Sequence, residues 1–221
     1  MKKIHYINVG MPKSGTTALF MNLLDHPDID YQGIKENSMF ITDKKTIAEY
    51  IEYYENYDVS MNFNPAIWAI EKYKIEELLS VTSHISIIFR NPFEYIRSLY
   101  YFIPSSSNSE DFFEMLFEQK DINYSAILSR WIKLVKNKPF KVLFHHDLSS
   151  RDNSLHEITK FLGLKDCNLL NNQYNVSMQK NKEFLFTNSQ ILILNKMIDR
   201  FEKMINRSLG WKKDNSNSTC L

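Results

Sequence analysis

The chain has 221 residues, 27 of them basic and 26 acidic, and 43% are hydrophobic. That length suits one domain whose core buries about 70% of the surface exposed by the unfolded chain. The near-neutral charge excludes a global field that would draw the protein to nucleic acid or to a membrane surface, so any anion site must be local.

Residues 1–9 read as a first strand, because His5 and Asn8 cut the apolar run too early for a secretory signal. Residues 9–19, V-G-M-P-K-S-G-T-T-A-L, follow as a glycine-bounded loop that opens a helix predicted over Thr16–Leu24. A strand, a loop of converging N–H groups and a helix N-terminus make a cradle for phosphate. A P-loop, G-x-x-x-x-G-K-[ST], would begin at Gly10, reach Gly15 and require lysine at position 16. Thr16 stands there instead, and the lysine is Lys13, at the crown of the loop. The cradle is kept and the cation displaced, which points to an anionic nucleotide handled by something other than an ordinary ATPase.

Asp25-His26-Pro27-Asp28 ends that helix, and residues 29–31 are a short strand candidate before Gly33-Ile34-Lys35-Glu36. Helices are predicted over 44–54 and 65–79, with an extended piece at 57–60 between them. His84–Phe89, H-I-S-I-I-F, is the strongest strand, an almost continuous apolar run suited to a buried parallel position. Then come a helix over Pro92–Phe102, a polar turn at 105–109, a helix over 122–135 and a strand over Phe140–Phe144. A helix over 153–162 closes at Gly163, and a long one over 189–205 closes at Gly210. Tyr95, Tyr100, Tyr101 and Phe102 fall at helical spacings that mark core. Strands alternating with helices predict a parallel sheet covered on both faces.

Neither a repeat nor a linker interrupts the pattern, so one domain is expected over residues 1–211 with a polar tail at 212–221. No run approaches the roughly 18 apolar residues of a membrane span. Cys167 and Cys220 lie far apart, which argues against a disulfide framework or metal cage and for a reducing, cytoplasmic setting.

The second informative stretch is F-R-N-P-F-E-Y-I-R-S at 89–98. Arg90 leaves the C-terminal end of the strongest strand, where ligands of open α/β sheets bind. Pro92 can begin a helix, which puts Ser98 two turns in. An arginine fork with a serine hydroxyl suits a phosphate. The plainer alternative is a strand-end arginine paired with Glu94.

P-K-S-G-T-T followed by R-N-P and a serine at position 98 resembles the two nucleotide signatures of sulfotransferases that use 3'-phosphoadenosine 5'-phosphosulfate (PAPS). Residues 142–148 (V-L-F-H-H-D-L), 161–164 (F-L-G-L) and 209–211 (L-G-W) are similar to later stretches of that family. The resemblance implies an α/β fold, a P-loop-like three-layer sandwich with a central parallel sheet flanked by helices. It also implies PAPS as co-substrate without a metal, and a small-molecule or glycan acceptor. Lys13, Ser14, Gly15, Thr16 and Thr17 would hold the 5'-phosphosulfate, with Lys13 stabilising the leaving group, and Arg90 with Ser98 would hold the 3'-phosphate. Residues 33–40, G-I-K-E-N-S-M-F, resemble the G-x-K-E-P-x-F segment of heparan-type enzymes, which assigns the general base to Glu36, with Lys35 beside it. Asn37 replaces the usual proline. At 57–63, Val59 and Met61 depart from the family's E-(K/S)-(S/T)-P-x-Y, leaving Ser60 as a candidate site hydroxyl. His145 and His146 end a strand at the ligand-binding edge and are secondary candidates for a base. Lys180 and Lys182 fall where the family closes a late loop over the nucleotide. A variant P-loop small-molecule kinase and a non-catalytic nucleotide-binding module are the competing readings.

Overall fold

A computed structural model describes residues 3–31, 33–38, 40–42, 45–102, 109–118, 122–149, 154–167 and 184–209. Its centre is a four-stranded, wholly parallel sheet of order β2-β1-β3-β4, built from β1 (Ile4–Asn8), β2 (Val59–Phe63), β3 (His84–Phe89) and β4 (Phe140–Phe144). Nine helices lie among the described residues: α1 (Thr16–Leu24), α2 (Ile47–Tyr54), α3 (Lys72–Val81), α4 (Pro92–Phe102), α5 (Ser109–Glu118), α6 (Tyr124–Val135), α7 (His145–Ser149), α8 (Ser154–Leu162) and α9 (Asn188–Leu209). This is the α/β architecture that the alternating pattern predicts.

The described residues divide between two compact units. The first takes in Met1–Phe89 and Leu134–Val176, and the second Arg90–Lys133 and Ser177–Leu221. In the first, Tyr6, Met61 and Phe63 are buried on one face of the sheet, where Phe63 meets Tyr6 and Phe20 edge-on. Burying one such side chain contributes about 1.5–3 kcal/mol relative to leaving it in water. In the second, Tyr100, Phe112 and Phe184 form one aromatic cluster and Tyr124 with Phe201 another. Tyr95 and Tyr100 are buried as predicted, but Tyr101 is only half-buried and Phe102 is 65% exposed.

Four elements have the predicted bounds: Thr16–Leu24, His84–Phe89, Pro92–Phe102 and Phe140–Phe144. Others are corrected. Residues 29–31 form no strand, because the Ile29 N–H goes to the His26 carbonyl in a turn rather than to a neighbouring strand. The helix expected over 44–54 begins at Ile47, where Thr46 and Glu49 close a reciprocal capping box. The segment 65–79 is broken. A single 3-10 turn, Ile67–Ala69, is followed by extended backbone at Ile70 and Glu71 before α3 starts. The extended piece expected at 57–60 is strand β2, two residues later, and helices α5 and α7 are additional. The turn at 105–108, Gly210 and the tail at 212–221 lie outside the described residues.

Candidate functional site

Asn8, the last residue of β1, shapes the phosphate-type loop. Its Oδ1 accepts the Gly10 N–H at 3.2 Å, which turns its Nδ2 towards Ser86 Oγ at 2.8 Å. The ladder then runs past the strand ends, with Met11 N donating to Ile88 O and Ile88 N donating to Gly10 O. Lys13 takes left-handed backbone at φ 58°, an uncommon state for a residue with a Cβ. Ser14 is fully buried, its N–H turned to Met11 O and its hydroxyl to Pro12 O at 3.4 Å. Its side chain therefore shapes the loop from inside.

Gly15 caps α1 at φ 90° and ψ 15°, and among the described residues no side-chain cap meets the first N–H groups of that helix. The left-handed angle favours glycine, and a Cβ here would press on His145 Cδ2 at 3.0 Å. Thr16 is buried and Thr17 half-buried on the first turn, which carries no carboxylate. An uncapped N-terminus with left-handed residues before it leaves converging N–H groups and a positive dipole end. These groups fit a phosphate or phosphosulfate.

The Lys35–Glu36 turn lies at the same, C-terminal edge of the sheet. Phe63, which ends β2, donates its N–H to the Lys35 carbonyl at 2.8 Å. The Lys35 ammonium touches the Glu36 carboxylate, whose side chain is 51% exposed. Gly33 is needed here because a Cβ would fall 2.3 Å from the Tyr31 ring, whose hydroxyl donates to Ile34 O. His145 begins α7 straight after β4 and lies against Gly15, whereas His146 is exposed and pairs with Asp147 at 2.8 Å.

Arg90 and Ser98 belong to the second unit. Asn91 Oδ1 accepts the Phe93 N–H at 3.0 Å and Pro92 opens α4, which is why R-N-P starts a helix here. Glu94 and Ser98, four apart on α4, share one helix face, and Arg90, two residues before the helix, reaches back onto Glu94. Arg90 Nε donates to Glu94 Oε2 at 3.1 Å, the plainer pairing anticipated from sequence. Glu94 is 55% exposed, and so open a pair is worth no more than about 1 kcal/mol. A phosphate can therefore replace it at small cost. The Arg90 carbonyl is fixed by the Tyr124 hydroxyl at 2.9 Å.

Ser60 belongs elsewhere. It pairs with His5 in the sheet register, four to five residues upstream of the loop, which is roughly 16 Å along a strand. Its Oγ lies 2.7 Å from His5 Nδ1. The two share, with Lys3, Tyr50, Tyr54 and Val81, the lining of a cavity of about 170 Å3 at the N-terminal edge. That volume is below the roughly 300 Å3 of small-molecule sites. Ser60 is thus a structural hydroxyl, not a site hydroxyl at the loop. Lys180 and Lys182 lie outside the described residues.

A sequence model of the sulfotransferase domain matches residues 3–216. The chain belongs to the sulfotransferase family. As a member it is a sulfuryl-transferring enzyme, and the family generally draws on PAPS. The fold is similar to the crystal structure of a sulfotransferase from Alicyclobacillus acidocaldarius, with a TM-score of 0.65 at 15% identity. That similarity covers 95% of this chain and 98% of the other. No curated protein matches the sequence. Among the described residues no helix is long and apolar enough to cross a membrane, and no cluster of three or more His, Cys, Asp or Glu could hold a metal.

Sequence reasoning passed over Asn8 and took His145 only as a secondary candidate for a base. Asn8 was visible only as a polar residue at the end of an apolar strand, immediately before the loop. His145 carried the signal of a titratable residue at a strand end, but its contact with Gly15 spans 130 positions and no local pattern records it.

Proposed function

We propose that this enzyme transfers the sulfuryl group of PAPS to an acceptor hydroxyl, most simply that of a carbohydrate, in a single domain over residues 1–211 in a reducing cytoplasm. The observation that carries the reading is the uncapped N-terminus of α1, with Gly15 left-handed and Lys13 at the crown of the loop, sharing one sheet edge with the exposed Glu36 carboxylate. PAPS supplies a sulfuryl group joined to a phosphate that leaves as adenosine 3',5'-bisphosphate. The amides at Gly15, Thr16 and Thr17, with the threonine hydroxyls, hold the 5'-phosphate. Lys13 neutralises charge on the departing phosphate oxygen as the S–O bond to it breaks. Glu36 takes the proton from the acceptor oxygen as the new S–O bond forms. Lys35 holds that carboxylate in place. Arg90 exchanges Glu94 for the 3'-phosphate, with Ser98 on the helix face that carries Glu94. Little covalent chemistry is asked of the protein, which positions and neutralises, as in phosphoryl transfer.

Calorimetric titration tests the donor site. Adenosine 3',5'-bisphosphate should bind tightly without magnesium, and Arg90→Ala should weaken it by about ten- to a hundredfold, the worth of a charged hydrogen bond. Binding of ADP alone, and only with magnesium, would replace this reading with a kinase.

A further inference from the structure

Ser60 and Asn62 on β2, and Asn64 directly after it, recur at every second position, and all three are buried. Such a period-two polar stripe ordinarily marks a solvent face, so these groups need partners inside the protein, and all but Asn62 Oδ1 have one. The stripe ends on a single atom, the backbone carbonyl of Asn37. Asn62 Nδ2 donates to it at 3.1 Å and Asn64 Nδ2 at 3.4 Å. A carbonyl only accepts, so both carboxamides must present their nitrogen here. For Asn64 the opposite end agrees, since its Oδ1 takes the Ala66 N–H at 2.9 Å.

The orientation of Asn62 fixes every proton behind it. Its Nδ2 also reaches the Tyr50 hydroxyl at 2.9 Å, so that hydroxyl accepts from Asn62 and gives its own hydrogen to His5 Nε2 at 3.1 Å. His5 then carries its hydrogen on Nδ1 and donates to Ser60 Oγ at 2.7 Å, while Ser60 donates to Ile4 O at 3.4 Å. The Asn37 carbonyl thus sets Asn62 as a donor, and the chain of hydrogen bonds behind it, which ends on Ile4 O, takes its direction from that contact.

Asn37 directly follows Glu36, and the contrast between the two is sharp: Asn37 is 2% exposed and the Glu36 side chain 51%. Together with the Phe63 N–H on the Lys35 carbonyl, the two carboxamides pin both sides of an exposed carboxylate to the last residues of β2. We propose that Asn62 is a positioning residue for sulfuryl transfer, which holds the Lys35–Asn37 turn so that the Glu36 carboxylate meets the acceptor oxygen. This rests on the reading of Glu36 as the base.

The test uses Asn62→Leu, which keeps the volume and removes the donor, alongside Glu36→Gln and the double variant. Two readouts are taken on the full chain: amide hydrogen exchange over residues 34–38, and the kcat and KM of PAPS hydrolysis, in which water stands in for the acceptor. Asn62→Leu should speed exchange in that turn at least tenfold with β1 and β3 unchanged. It should lower kcat at least tenfold with KM for PAPS within twofold, and lower it no further in the Glu36→Gln background. Unchanged exchange at the turn overturns the proposal, as does a loss spread equally over kcat, KM and the sheet. Hydrolysis indifferent to Glu36→Gln sinks the base assignment instead, while exchange still shows whether Asn62 holds the turn.

Discussion

At the N-terminal edge of the sheet His5, Ser60 and Tyr50 spend their hydrogen bonds on one another. At the C-terminal edge the first turn of α1 has no side-chain cap and Glu36 stands half in solvent. Both edges are rich in polar residues and lie within one unit of the chain. The difference is that His5, Ser60 and Tyr50 already hold one another, whereas the helix start at Gly15 offers N–H groups of the kind that bind an anion. A histidine hydrogen-bonded to a serine is the look of catalytic machinery, but here it is an interior tie. A glycine and two threonines look bland and frame the proposed site.

The comparison can be broken at the C-terminal edge first. Lys13→Ala should cut PAPS turnover by about 10²- to 10³-fold, the usual cost of losing one preorganised charge partner in a transition state. Its urea midpoint should barely move, because Lys13 is half-buried on a loop crown. Turnover within threefold of wild type would show that the cation acting on the leaving group lies elsewhere.

The N-terminal edge should answer to pH through stability and not through turnover. Burial lowers the His5 pKa from 6.5 to about 4. Folded protein therefore keeps the ring neutral where the unfolded chain takes up a proton. Above about pH 6.5 this costs nothing. As pH falls towards 4, His5 removes up to about 3 kcal/mol of stability, and below that no more. Urea unfolding of wild type and His5→Gln at pH 7.5 and 4.5 isolates the effect, since all other groups titrate in both. Equal acid losses would mean that His5 is not the tied, neutral ring described here.

How much of this was legible in the sequence follows the same division. The loop, α1, β3, α4 and β4 could be read because their signals are local: glycine spacing, continuous apolar runs, a proline at a helix start. Strand β2 was displaced because V-S-M-N-F carries polar residues at alternate positions, and their partners His5 and Tyr50 and the Asn37 carbonyl are 12 to 55 positions away. Helix α5 was missed between a polar turn and the next helix, although its Phe112, Phe113 and Leu116 make a buried stripe. For the proposed site, local pattern and family resemblance point to Lys13, Gly15, Glu36 and Arg90. It misplaced Ser60, since only the register of β2 against β1 shows which end of the sheet that hydroxyl faces.

The most direct measurement is transfer from 35S-labelled PAPS to a panel of sugar, phenol and lipid hydroxyls, run with wild type and Glu36→Gln in parallel. Label should move to at least one acceptor class, and Glu36→Gln should slow it by about 10²- to 10⁴-fold with binding of adenosine 3',5'-bisphosphate unchanged. Transfer that persists within threefold in Glu36→Gln would contradict the account of the C-terminal edge as the place where the acceptor proton is taken.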